Sequence, residues 1–149
     1  MKNLYETFLE YKNGSLEKHD YIKAMHIKHH ALFDYFDYIK HTDIESIVID
    51  NKRMFVVLKG TGLKLFLDRF DSRFIPIEIL NFHTFDRFDK ELVFKLASKS
   101  KVIFDIGANI GWYSLNFSIL ENVSKVYAFE PIPRTFNYLK KHIKFNNIV

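Results

Sequence analysis

The sequence predicts an α/β fold in which two helices precede a small antiparallel β meander, followed by two parallel strands with their helices. Three observations predict it. Residues 101–130 read as an apolar strand, an Asp-x-Gly-x-Asn-x-Gly turn, a helix, and a second apolar strand ending in an acid. Upstream, three short β-type runs are separated by turn-forming residues. Before these, 3–12 and 16–40 carry apolar residues at helical spacing.

Taken in order, the first helix places Leu4, Phe8 and Tyr11 on one face, and the second places Ile22, Met25, Leu32, Phe36 and Ile39 on one stripe. Asn13-Gly14 separates them. The runs 44–49 (IESIVI), 53–59 (RMFVVLK) and 63–68 (LKLFLD) form the meander, broken by Asp50-Asn51 and Gly60-Thr61-Gly62. A further helix is expected over 85–98, with Phe88, Leu92, Phe94 and Leu96 apolar and Asp86, Asp89 and Glu91 near its positive end. At its start, Phe85 reads as a core aromatic and Asp86 as a helix-capping acid. The domain division expected is 1–43 helical, 44–84 meander, and 85–149 the first half of a nucleoside-binding domain.

That last segment carries the chemistry. Val102, Ile103, Phe104 and Ile106 make a buried strand, and Gly107 and Gly111 let the backbone approach a ligand with no Cβ in the way. The turn opens a helix, whose unpaired N–H groups favour a polar or anionic group above 107–112. Glu130 ends the run Val126–Phe129, 19 residues after Gly111, where an acid can accept hydrogen bonds from a ribose diol. Dinucleotide enzymes prefer Gly-x-Gly-x-x-Gly, which admits a pyrophosphate. Here Asp105 would repel a pyrophosphate but attract the cationic amino group of a methionine moiety, which favours S-adenosylmethionine over a nicotinamide cofactor.

The stretches VIFDIGANIGWYSLNF and VYAFEPIPRTFNYLKKHIKFNNI resemble the FkbM family of class I methyltransferases, with its Asp-Ile-Gly-Ala-Asn-Ile-Gly turn and Glu-Pro after the second strand. The resemblance implies a Rossmann-like core in which Asp105 lies near the methionine part of the cofactor. Gly107, Ala108, Asn109 and Gly111 would form the loop beneath it, and Glu130 the ribose ligand. It covers 44–149 and implies methyl transfer to an oxygen of a small-molecule or sugar acceptor.

Only the first two parallel strands of such a core are found, so the expectation is a truncated Rossmann-like methyltransferase core that lacks the acceptor half. No catalytic residue can be named from it. The chain is then either the amino-terminal portion of a longer enzyme or a truncated product. In the second case a non-catalytic relic or partner-binding module is the alternative function. Uncovered apolar faces and an open sheet edge are expected, with self-association through that edge.

With 149 residues, 48% of them hydrophobic, the chain is long enough to bury the core of one domain. The 16 Phe and 8 Tyr are assigned to packing. A net charge of +4, dispersed among acids, is no nucleic-acid footprint, so no nucleic-acid partner is expected. Lys140, Lys141, His142 and Lys144 read as a solvated helix terminus. His26 and His30 stand at i, i+4, but no third ligand follows at a recognisable spacing, so no metal site is expected. Zero cysteines rule out disulfides, and the sequence shows neither an apolar signal core nor a membrane-length run. A cytoplasmic location without a membrane partner is expected.

Overall fold

A computed structural model of the chain describes residues 2–148, except for the side chains of residues 87 and 88, so the apolar role expected of Phe88 lies outside the described residues. It divides into two compact units, one ending at Lys40 and one starting at His41.

The first unit is a pair of helices, α1 (Leu4–Lys12) and α2 (Lys18–Tyr38). Asn3 starts α1 through a capping box, its Oδ1 accepting from the Glu6 N–H at 2.9 Å while the Glu6 carboxylate accepts the Asn3 N–H at 2.8 Å. The rings of Tyr11 and Tyr21 stack 4.4 Å apart across the connection. The apolar stripe expected over 16–40 lies on α2 except for Ile39, its C-cap, yet Ile22, Leu32 and Phe36 are exposed, and none of the helix's described residues is buried.

The second unit begins with β1 (Ile44–Ile49), β2 (Met54–Leu58) and β3 (Lys64–Phe66), an antiparallel meander in that order. Ile44, Val56, Leu58 and Leu65 share one buried face, and Phe55, also buried, points to the other, where it packs edge-on against Phe145 at 4.9 Å. Asp50 shapes the first turn by accepting the Lys52 and Arg53 N–H groups at 2.7 and 2.8 Å. An element that spacing did not mark follows, α3 (Ile75–Phe82), and then α4 (Arg87–Ala97). Pro76 sits in the first turn of α3, where its missing N–H has no partner to lose.

Next come β4 (Val102–Ile106), α5 (Trp112–Ser118), β5 (Lys125–Phe129) and α6 (Pro133–Phe145). β4 and β5 pair in parallel, with Val102 opposite Lys125 and Ile106 opposite Phe129. The fold is therefore the mixed α/β class that the sequence predicts, with the parallel pair of a Rossmann-like core. One face of the pair carries Ile103, Asp105, Val126 and Ala128 and is partly covered, with α5 packed on both strands. The opposite face is apolar and open: Phe104 is 63% exposed and Ile106 75%, with Val102, Tyr127 and Phe129 beside them. Phe104 stacks on Tyr127 at 5.0 Å and on Phe129 at 6.3 Å.

Helix α6 ties the parallel pair to the meander by covering the edge of β3. The Asn146 amide bonds both backbone groups of Lys64, accepting its N–H at 2.7 Å and donating to its carbonyl at 2.9 Å, as a neighbouring strand would. One turn back, His142 accepts the Phe66 N–H on Nε2 at 2.9 Å. This corrects the reading of 140–144 as wholly solvated. Lys140, Lys141 and Lys144 are exposed, but His142 is fully buried, because it shares the inward face with Leu139. Asp68, in the segment after β3, fastens the start of α6 by accepting from the Arg134 guanidinium at 2.6 Å and the Tyr138 hydroxyl at 3.0 Å.

Candidate cofactor site

The carboxyl end of the parallel pair is built by backbone bonds that cross from β5 to the loop after β4. The N–H groups of Gly107 and Ala108 both donate to the Phe129 carbonyl at 2.9 Å, and the Gly111 N–H donates to Ala108 at 2.8 Å. The chain turns by placing Gly107, Asn109 and Gly111 at φ 83°, 52° and 94°, all left-handed. Within this loop the N–H groups of Gly107, Ala108, Asn109 and Gly111 are engaged within the chain, and the donors of a helix start come after them, where α5 opens at Trp112.

Glu130 stands where the sequence places it, one residue beyond β5, and it is bonded directly to the loop. Its Oε2 accepts the Asn109 N–H at 2.8 Å, and its Oε1 accepts the Ile132 N–H at 2.8 Å and the Thr135 hydroxyl at 2.9 Å. Desolvation alone would raise the carboxyl, but the bonds from Ile132, Thr135 and Asn109 outweigh it and hold the group below the ordinary glutamate range. Of roughly four acceptor positions on a carboxylate, these three bonds leave about one open, on Oε2. The second bond to a ribose diol would require one of the three to be exchanged.

The other predicted residues fall around the same loop, though not all of them face a ligand. Asp105 lies on the half-covered face of β4, where its Oδ2 accepts the Ser114 hydroxyl at 2.5 Å. The Ala108 side chain is buried. A Cβ on Gly107 would meet nothing within 4 Å, whereas one on Gly111 would lie 2.5 Å from Leu139 Cδ1. Gly111 therefore serves the close packing of α6 against the loop, and Gly107 the turn. Sequence reasoning passed over Ser114 and Thr135, which here hold the two acids.

Just before α4, residues 83–86 come beside this loop. His83 and Asp86 are both left-handed, at φ 70° and 52°. Asp43 pins the segment, donating its N–H to the His83 carbonyl at 2.7 Å and accepting the Thr84 hydroxyl at 2.6 Å. The Asp86 carboxylate makes no cap hydrogen bond among the described residues, contrary to its reading as a capping acid, and instead accepts the Tyr113 hydroxyl. Burial, then that bond, push the Tyr113 phenol well above its ordinary range. Phe85 packs edge-on against Trp112 at 5.4 Å and, with Arg73, Phe74, Glu78, Asn109 and Thr135, lines a cavity of about 400 Å³.

A family model described as the TRM5/TYW2 methyltransferase domain matches residues 75–149, just over half of the chain. The chain belongs to the TRM5/TYW2 methyltransferase family. Comparisons with curated proteins and with solved structures returned no match. The matched residues run from α3 to the end of α6, so the TRM5/TYW2 region holds the loop, both acids and the Phe85 cavity wall. S-adenosylmethionine is the methyl donor of the TRM5/TYW2 family, which agrees with the cofactor read from Asp105 and the glycine spacing. The residues fit that group: Glu130 keeps one acceptor position open at the edge of the loop. The match supports an S-adenosylmethionine-dependent methyltransferase, and not the FkbM family specifically. Among the described residues, no helix is long and apolar enough to cross a membrane.

Proposed function

We propose that the 75–149 region binds S-adenosylmethionine across Gly107, Ala108, Asn109 and Gly111, with Glu130 on the ribose and Asp105 toward the methionine amine, and that it serves FkbM-like O-methyl transfer. The observation that carries this reading is the 2.8 Å bond from the Asn109 N–H to Glu130 Oε2, which joins the two halves of the motif. When bound, the cofactor supplies an electrophilic sulfonium methyl. The chain's part is positioning, the main source of rate in a direct displacement. The 400 Å³ cavity beside Asn109 and Thr135 is the proposed place for a small-molecule or sugar acceptor, with Phe85 and Phe74 for its apolar face and Arg73 and Glu78 for its hydroxyls. The cytoplasmic location expected from the sequence belongs to the same reading.

Calorimetric titration of the chain with S-adenosylhomocysteine tests it. Saturable binding is expected, weakened about 10- to 100-fold in Glu130→Ala, since a bond to a charged acceptor contributes about 1.5–3 kcal/mol. Unchanged affinity in the variant would remove Glu130 from the site. The open apolar face of Phe104, Ile106 and Phe129 favours a second reading, a non-catalytic module that self-associates through the sheet. That reading is supported if the folded chain takes up no S-adenosylhomocysteine and elutes as a dimer.

A further inference from the structure

We infer that His142 is a positioning residue for the cofactor loop, gripping it from beneath while Glu130 holds it from the ligand side. The inference rests on the reading that this loop carries S-adenosylmethionine. His142 Nδ1 lies 2.8 Å from the Ile110 carbonyl, and Nε2 lies 2.9 Å from the Phe66 N–H. The second contact settles the tautomer. A backbone N–H only donates, so Nε2 accepts, the ring proton sits on Nδ1, and that proton is donated to Ile110.

The site of the grip is what gives it leverage. Ile110 lies between Asn109 and Gly111, both left-handed, and Asn109 has a Cβ that makes this conformation unfavourable. Such a backbone persists only where its surroundings over-determine it. Two bonds at consecutive residues do so here: the Asn109 N–H to Glu130, and the Ile110 carbonyl from His142. Without the lower bond, Asn109 can relax, and its N–H then no longer orients the Glu130 carboxylate. The ring is held in turn by the backbone of β3 and by stacking on Phe66 at 5.4 Å, so the antiparallel sheet acts as the rigid base of the loop. Asn146 braces the same strand edge through Lys64 without touching the loop.

This difference supplies the control. His142→Phe fills similar volume with no donor or acceptor, His142→Gln retains one of each, and Asn146→Leu removes the strand-edge bonds and the amide's bond to the His142 carbonyl while leaving both imidazole contacts in place. For S-adenosylhomocysteine, His142→Phe is expected to weaken Kd about tenfold, with His142→Gln restoring most of it and Asn146→Leu remaining within about twofold of the parent chain. Equal losses in His142→Phe and Asn146→Leu, or none in His142→Phe, overturn the inference in favour of a purely structural role. Should His142→Phe not fold, the imidazole nitrogen signals of the unaltered chain decide the question. The Nδ1-protonated tautomer is expected, with its ring proton shifting on saturation with S-adenosylhomocysteine; a signal that does not move overturns the grip. A parent chain that binds no S-adenosylhomocysteine would instead defeat the underlying cofactor reading.

Discussion

Gly111→Ala is expected to lower the unfolding free energy by about 3 kcal/mol, from two separable effects. Holding a residue with a Cβ at φ 94° costs about 1 kcal/mol or more. The new methyl would also sit 2.5 Å from Leu139 Cδ1. A flexible side-chain end usually yields cheaply, but Leu139 is only 1% exposed and packed in the core, so a further 1–3 kcal/mol of overpacking is expected. Gly107→Ala isolates the first effect, because its φ of 83° is similar while the added methyl meets nothing within 4 Å. It should lose only about 1 kcal/mol. Urea unfolding of both variants checks this, and equal losses would show that α6 does not press on the loop as described.

The loop was legible in the sequence because its constraints are local. A left-handed turn after a β-branched run calls for glycine and asparagine, and the acid at 130 follows a second such run, so Gly107, Asn109, Gly111 and Glu130 stand in an order that a reader can follow. The three meander strands were legible for the same reason, each bounded by turn residues. The α3 segment was not. FIPIEILNF has few polar residues to show a helical period, and its isoleucines suit a strand equally well; only Pro76 marks a helix start. Ser114 and Thr135 were also hidden, since a lone hydroxyl becomes a partner for Asp105 or Glu130 only once helices bring it there. His142 was masked by its lysine neighbours. Its spacing from Leu139 and Asn146, three residues back and four ahead, is the signal that would have placed it on the inward face.

The sheet's uncovered side follows from composition in the same way. β4 and β5 are apolar on both faces, as strands of a parallel sheet are when helices cover each side. The chain's own helix α5 covers part of the face that bears Ala128 and Val126. Phe104, Tyr127 and Phe129 stack on one another on the other face, giving some of the aromatic surplus a role as a continuous exposed patch.

Lowering the pH from 7 to about 4 is expected to remove about 3 kcal/mol of stability through His142 alone, before the carboxylates contribute. Burial pulls this imidazole down from 6.5 to about 4, against the Ile110 bond and with nearby Lys141 adding to the fall. Between those values the unfolded chain binds a proton at His142 that the folded chain does not, so stability is full above pH 6.5 and declines toward pH 4. The geometry explains why the folded state resists protonation. A charged ring would carry a hydrogen on Nε2, directed at the Phe66 N–H, and would break the bond that anchors β3 to α6. Asp68 and Glu130 act in a different window. Their carboxyls are held below their ordinary values of 3.8 and 4.5, so what they contribute is lost only as pH falls through that lower range. Urea unfolding at pH 7, 5.5 and 4.5 should therefore show a slope in the parent chain that His142→Gln largely lacks. Parallel slopes in the two proteins would place the acid sensitivity elsewhere and leave the buried ring without a titrating role.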